Sequence, residues 1–136
     1  MHVIVDVLNI LHAVDPYRGL LKKNFDLALD RLMQDLVNYR DSSADQLTLV
    51  IDGTEKPHAP LLAAGMEVIY SGADKSADEI IEGRVSENTS KSRIMVVTSD
   101  TGIQQLVYSL GASFIPPSQF VETMKKVKSQ RPRMSF

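Results

Sequence analysis

The sequence predicts a three-layer α/β sandwich: a mostly parallel five-stranded sheet with helices on both faces. Three observations predict it. The runs Val3–Val5, Leu47–Ile51 and Ile94–Val97 are unbroken apolar stretches of strand length. Parallel strands covered on both faces read this way, without polar alternation. Stretches with helical periodicity alternate with these runs, which is the pattern of β-α-β units. Finally, the three runs close on aspartate: Asp6, Asp52-Gly53, and Thr98-Ser99-Asp100. That places three carboxylates along the carboxyl edge of one sheet, where open α/β sheets bind ligands.

The elements follow in order. Val3–Val5 is the first and central strand, ending at Asp6 with Asn9 three residues on. Ile10 to Gly19 contains Pro16 and Gly19 and reads as a loop or broken short helix. It leaves the carboxyl end of strand one, which could bring His12, Tyr17, Arg18, Lys22 and Lys23 near the acidic edge; each taken singly also reads as plain surface. Asn24 caps a helix in which Phe25, Ala28, Leu29, Leu32, Met33, Leu36 and Val37 recur at helical spacing, to about Arg40. A polar turn over 41–45 leads into Leu47–Ile51. Gly53 to Pro60 is a loop, and Leu61 to Ala64 a single helical turn. Met66–Tyr70 is a short strand, placed at a sheet edge by Glu67. Ser76 and Glu79 form a capping-box pattern that opens a helix to about Glu87. Ile94–Val97 is followed by a helix from Gly102 to about Leu110, stopped at Gly111. Ala112–Ile115 is a fifth strand, and Ser118 leads into a last helix with Phe120, Val121, Met124 and Val127 on one face.

The totals fit one domain with one core, 136 residues long, 43% hydrophobic and 24% charged. No cysteine is present, which excludes disulfides and thiolate metal sites and suits a reducing compartment. No apolar run approaches a membrane span, so no membrane association and a cytoplasmic location are expected. Neither glycine-rich phosphate motif occurs, so no nucleotide cofactor is expected. The net charge of −2 conceals an asymmetry: Lys125, Lys126, Lys128, Arg131 and Arg133 follow one another without an acid. Residues 1–124 hold ten basic and seventeen acidic residues, a net of −7. The division expected is therefore a folded domain over 1–124 and a basic tail over 125–136. Such a tail suits nucleic acid, although a solvated terminus has the same composition.

The chemistry follows from the carboxylates. One strand ending in Asp means little, because Asp also caps helices and makes turns. Three such ends on one edge repel one another unless a cation neutralises them, and hard cations bind through oxygen. The expected cofactor is Mg²⁺ or Mn²⁺. Asp78 lies in a helical first turn, a position the helix dipole alone would explain, yet that helix starts from the same edge. His2, His12 and His58 lie in weak contexts, and no nucleophilic Ser/His/Asp set is evident.

Asp6-x-x-Asn9, Asp52, Ser76-Ala77-Asp78 and Thr98-Ser99-Asp100, taken together and in this order, resemble the NYN/PIN-like nuclease superfamily, most nearly its YacP-like NYN group of bacterial endoribonucleases. The resemblance runs from Val3 to the last helix. It implies a PIN-like, Rossmann-like fold and metal-dependent hydrolysis of RNA phosphodiester bonds, in mRNA decay or on the ribosome. Carried over by position, Asp6, Asp78 and Asp100 correspond to the acidic metal-binding set, Asn9 to the motif's Asn, Asp52 to the acid ending the second strand, and Ser99 to the hydroxyl beside the last acid. Two positions depart from the pattern. Val7 stands where Gly is common, and Lys75 where an acid is common, with Asp74 one residue earlier as a compensating ligand. The catalytic group expected is thus Asp6, Asp78, Asp100 and Asn9, with Asp52 and Asp74 as further metal ligands. Ser99, Lys75, Arg18, Lys22, Lys23, Lys125 and Lys126 are expected to contact RNA, including ribosome-associated mRNA.

Two other classes compete. A PIN-like RNA- or ribosome-binding module with weak or lost catalysis is suggested by Lys75. A phosphohydrolase or receiver-like domain also has an acidic Mg²⁺ pocket, but Val5-Asp6-Val7 and Thr98-Ser99-Asp100 match a receiver poorly. Metal titration followed by RNA cleavage with and without EDTA separates them.

Overall fold

A computed structural model of the chain describes residues 1–43, 45–53 and 66–130, with side chains to residue 127. Its strands are β1 (His2–Asp6), β2 (Gln46–Ile51), β3 (Met66–Tyr70), β4 (Ile94–Val97) and β5 (Ser113–Ile115). Its α-helices are α1 (Val7–Ala13), α2 (Tyr17–Leu21), α3 (Phe25–Ser43), α4 (Ala77–Glu87), α5 (Thr101–Ser109) and α6 (Pro117–Gln130). The strands form one parallel sheet in the order β3-β2-β1-β4-β5. β1 lies in the middle, with Val3 in register with Leu47 on one side and Met95 on the other. The expected three-layer α/β architecture is therefore present, and every strand pair is parallel.

Alternation along β1 builds the two layers of core. Val3 and Val5 point to the face covered by α1, α2, α3 and α6, packing with Leu29, Leu32, Leu36 and Phe120. Ile4 points to the other face and packs with Ile81 of α4, Val96 of β4 and Val107 of α5. Burial on both faces is why the run has no polar alternation. At roughly 1.5–3 kcal/mol per buried aliphatic side chain, this double burial fixes the register of β1.

Of the two readings of the stretch from Ile10 to Gly19, the broken helix is the one present: it forms parts of α1 and α2, separated at Val14, Asp15 and cis-Pro16. One local expectation changes. Asp41 to Ser43 continue α3 instead of forming a turn, because an exposed last helical turn accepts polar side chains, and Tyr39 inside it is buried and donates to Asp45 at 2.7 Å. As the face Phe120, Val121, Met124 and Val127 implies, α6 passes unbroken through Met124 and Lys125, so Lys125 and Lys126 are helical. The helical turn expected at 61–64 and the end of the chain from 131 lie outside the described residues. No described helix is long and apolar enough to cross a membrane.

Candidate active site

At the carboxyl ends of β1 and β2 the chain opens into a cleft of about 240 Å³, lined by Asp6, Leu8, Asn9, His12, Asp52, Ser76, Ala77 and Asp78. Asp6 is the last residue of β1 and only 8% exposed. It occupies the cap position of α1, where the Asn9 amide lies near enough to favour its charge but makes no full capping bond, and the carboxylate lines the cleft. Its pKa is raised to about 6. Burial is the main cause; the main-chain amide of Asn9 opposes it, and the charges of Asp78, Asp52 and Asp100 reinforce it.

Asp78 reaches the cleft from the first turn of α4. A helix start is held here by a capping box: the Ser76 hydroxyl accepts from the Glu79 amide at 3.3 Å, and the Ser76 amide donates to Glu79 Oε1 at 3.4 Å. With Ser76 and Glu79 doing the capping, Asp78 is free to face the acids. Its pKa is also raised, by burial first and then by Asp100 and Asp52.

Asp52 follows β2 and is held by Ser71, the residue after β3. The buried Ser71 hydroxyl donates to Asp52 Oδ1 at 2.9 Å and accepts from the Gly53 amide at 3.0 Å. Asp100 caps α5, its Oδ1 accepting from the Ile103 amide at 3.0 Å. The Asp100 amide donates to Thr98 Oγ1 at 3.1 Å, and Gln104 Nε2 donates to the Thr98 carbonyl at 2.8 Å. Asn9 ties this loop to the central strand, its Oδ1 accepting from the Ser99 amide at 2.7 Å. Asp100 does not line the cleft wall, but its charge acts on both Asp6 and Asp78.

The donor set suits a hard divalent cation. It offers carboxylate oxygens from four elements, and among the described residues no Lys or Arg lines the cleft. One oxygen of Asp52 and one of Asp100 remain outside the bonds just described. Among the described residues, however, no group of three or more His, Cys, Asp or Glu side chains is preformed as a metal cage. Such an arrangement fits an ion bound through one or two carboxylates and otherwise through its own water, as Mg²⁺ commonly is.

The remaining sequence-selected residues stand elsewhere. Asp74 and Lys75 are exposed before α4 and line no part of the cleft. Ser99 is exposed and takes part through its main-chain amide. Arg18 pairs with Asp15 at 3.0 Å, while Lys22 and Lys23 are exposed beyond α2. Lys125 pairs with Glu122 at 3.3 Å and borders a separate depression with Tyr17, Arg31 and Asp35; Lys126 is its neighbour on α6. None of these cations lines the acidic cleft. Sequence reasoning missed Ser71 and Gln104, whose roles depend on contacts between elements. His12 gave only a weak signal: it sits four residues after Leu8 on α1, hence on the same face, and shares the cleft with it.

The fold is similar to two crystal structures of Rae1 (YacP) from Bacillus subtilis. One, a point mutant, is 24% identical with a TM-score of 0.80, over 95% of this chain and 77% of that one. The other is 23% identical with a TM-score of 0.79, over 96% and 76%. No curated protein matches the sequence. The profile of the YacP-like NYN domain matches residues 3–134, nearly the whole chain. NYN domains are generally of nuclease type, use divalent metals and take RNA as substrate. The chain belongs to the YacP-like NYN domain family.

Proposed function

We propose that the chain is an Mg²⁺- or Mn²⁺-dependent endoribonuclease of the cytoplasm, hydrolysing RNA phosphodiester bonds, with ribosome-associated mRNA among its targets. The single observation that carries the proposal is the set of carboxylates gathered at one cleft with no counter-charge among the described residues, felt at Asp6 as a raised pKa. A protein tolerates such repulsion where a cation is to be bound. When bound, a divalent ion supplies an activated water and neutralises charge on the phosphate oxygens. Asp6 and Asp78 are the residues that would hold it, with Asp52 and Asp100 contributing their unengaged oxygens directly or through water. Asn9 is a positioning residue: its bond to the Ser99 amide keeps the Asp100 loop against the end of β1. Leu8 and Ala77 give the cleft apolar wall, limiting water around the scissile phosphate.

The absence of Lys and Arg from the described lining favours a second reading, a binding module with little catalysis. One experiment separates the two. Purified chain should cleave single-stranded RNA with Mn²⁺ or Mg²⁺ and stop on EDTA addition. RNA binding without cleavage at any divalent concentration overturns the nuclease assignment in favour of the module.

A further inference from the structure

The acidic cleft repels the phosphates it is proposed to cut, and among the described residues no cation lines it. A landing surface for RNA that starts near Asp100 and carries no negative charge would offset this. Such a surface exists at one edge of the sheet. Residues 101–121 contain no charged side chain, in a chain that is 24% charged. They comprise α5, the edge strand β5 and the start of α6. Two of the largest exposed apolar side chains of the described residues lie here: Tyr108 is 74% exposed and Phe114 39%. Phe114 is in register with Val96, which packs under α5, so Phe114 projects on the α5 side of the sheet. Tyr108 is on the last turn of α5, its carbonyl accepting from the Gly111 amide at 3.0 Å. From Asp100, at the cap of α5, to Tyr108 is about 12 Å along the helix axis. At the Tyr108 end stand two cations. Lys91 lies with its Cβ 3.9 Å from where a Cβ on Gly111 would be, its Nζ donating to the Asn88 carbonyl at 2.8 Å. Arg93, exposed just before β4, lines a depression with His2 and Gln46 and has no carboxylate partner among the described residues.

We infer that the α5–β5 edge is the binding surface for single-stranded RNA, with Tyr108 and Phe114 as base-stacking platforms and Arg93 and Lys91 as phosphate contacts, leading the strand to Asp100 and the cleft. The inference rests on the reading of the chain as acting on RNA. Its occupant is a single strand because aromatic faces stack on unpaired bases, whereas a duplex presents only its backbone and groove edges. Stacking on an exposed ring is insensitive to sequence, and the cations add an electrostatic hold that weakens with salt.

The test is fluorescence anisotropy of a short labelled oligoadenylate with the full chain in EDTA, so that binding is read without cleavage. The double variant Tyr108→Ala, Phe114→Ala should bind about ten-fold or more weakly. Tyr108→Phe should retain most of the affinity and Tyr108→Leu should not, since the flat ring is the required feature. Arg93→Gln should weaken binding modestly and flatten the salt dependence. Unchanged affinity in the double variant overturns the inference, as does failure of the wild-type chain to bind oligoadenylate or a preference for duplex RNA. A double variant that keeps its RNA affinity but loses a concentration-dependent dimer in sedimentation assigns the edge to a second copy of the chain, and also overturns it. Affinities that change as expected while the wild-type chain fails to cleave RNA with Mn²⁺ support this surface and sink the nuclease assignment alone.

Discussion

The two ends of the sheet treat charge in opposite ways. At the amino end, polar groups are paired off across three strands. His2 Nε2 lies 2.6 Å from Thr48 Oγ1, Thr48 donates to Glu67 Oε1 at 3.1 Å, and Arg84 donates to Glu67 Oε2 at 3.0 Å. The one hydroxyl proton of Thr48 goes to Glu67, so the proton between His2 and Thr48 belongs to the imidazole. One carboxylate meets one guanidinium, and the buried hydroxyl is satisfied on both sides. At the carboxyl end of the same strands, Asp6, Asp52, Asp78 and Asp100 gather with no cation among the described lining residues. Their hydrogen bonds come from neutral donors: Ser71 to Asp52, and the Ile103 amide to Asp100. One end is finished as structure; at the other the described residues leave a negative charge that suits a cationic ligand.

Substitution at Asp6 should break the contrast most strongly. Asp6→Asn removes the most buried of the four carboxylates. Cleavage should fall by roughly three orders of magnitude, equivalent to several kcal/mol of lost charge stabilisation. The metal-free fold should be as stable or more so, because the removed charge is desolvated and repelled. Single-turnover cleavage and thermal denaturation of the apo protein measure both. A variant that loses activity and stability together would mean that Asp6 is a structural residue.

The pH dependence sharpens the same point. The folded-state pKa of Asp6, about 6, lies above the ordinary aspartate value of 3.8. The fold therefore favours the protonated form. The penalty for ionised Asp6 is fully present above about 6 and disappears as pH falls below the unfolded value. At most it amounts to about 3 kcal/mol. Apo wild type should gain stability relative to Asp6→Asn as pH is lowered from about 7 to about 4. Parallel stability curves for the two proteins would contradict this. Mn²⁺ affinity should move the other way, weakening below pH 6 as protons compete for Asp6.

Ser71 offers a smaller effect. Ser71→Ala leaves Asp52 Oδ1 and the Gly53 amide without their shared hydroxyl. Stability should drop by about 1–3 kcal/mol. If Asp52 is a metal ligand, Mn²⁺ affinity should drop about ten-fold, as is usual when a group orienting a ligand is lost. Titration calorimetry giving unchanged Mn²⁺ affinity would remove Asp52 from the ligand set.

These residues also show what a sequence can and cannot disclose. β1, β2 and β4 were readable because burial on both faces demands unbroken apolar runs, and β3 because Glu67 marks an edge. Asp6, Asp52 and Asp100 were readable because strand ends share one edge in a parallel sheet. Asp78 was ambiguous in sequence, since a first-turn acid also suits the helix dipole; what the structure adds is its place in the cleft wall with Asp6 and Asp52. α1 and α2 were obscured by Pro16 and Gly19, which break long helices but leave room for helices of one or two turns. Ser71 and Gln104 act across strands or loops that sequence spacing does not join. Charge composition gave the number of lysines in the basic segment but not their position, and Lys125 borders a depression apart from the acids.

The smallest expected effect lies at the finished end. Arg84→Gln breaks the ion pair with Glu67, both side chains of which are nearly half exposed, at 43% and 46%. Exposed pairs contribute about 0–1 kcal/mol, and salt screens them further. Glu67 would still accept from Thr48, so no buried acceptor is stranded. Stability should change by less than about 1 kcal/mol, and cleavage should match wild type, because Arg84 lies in the last turn of α4 whereas Asp78 lies in the first. The loss of Arg84 should still be visible locally. His2 has its pKa lowered by burial, with the Glu67 charge raising it and Arg84 lowering it further. Removing Arg84 should shift the His2 titration upward, as read by the imidazole proton resonances. A cleavage defect in Arg84→Gln with an unshifted His2 would mean that the two ends of the sheet are not independent, and that the amino-end network supports the site as well as the fold.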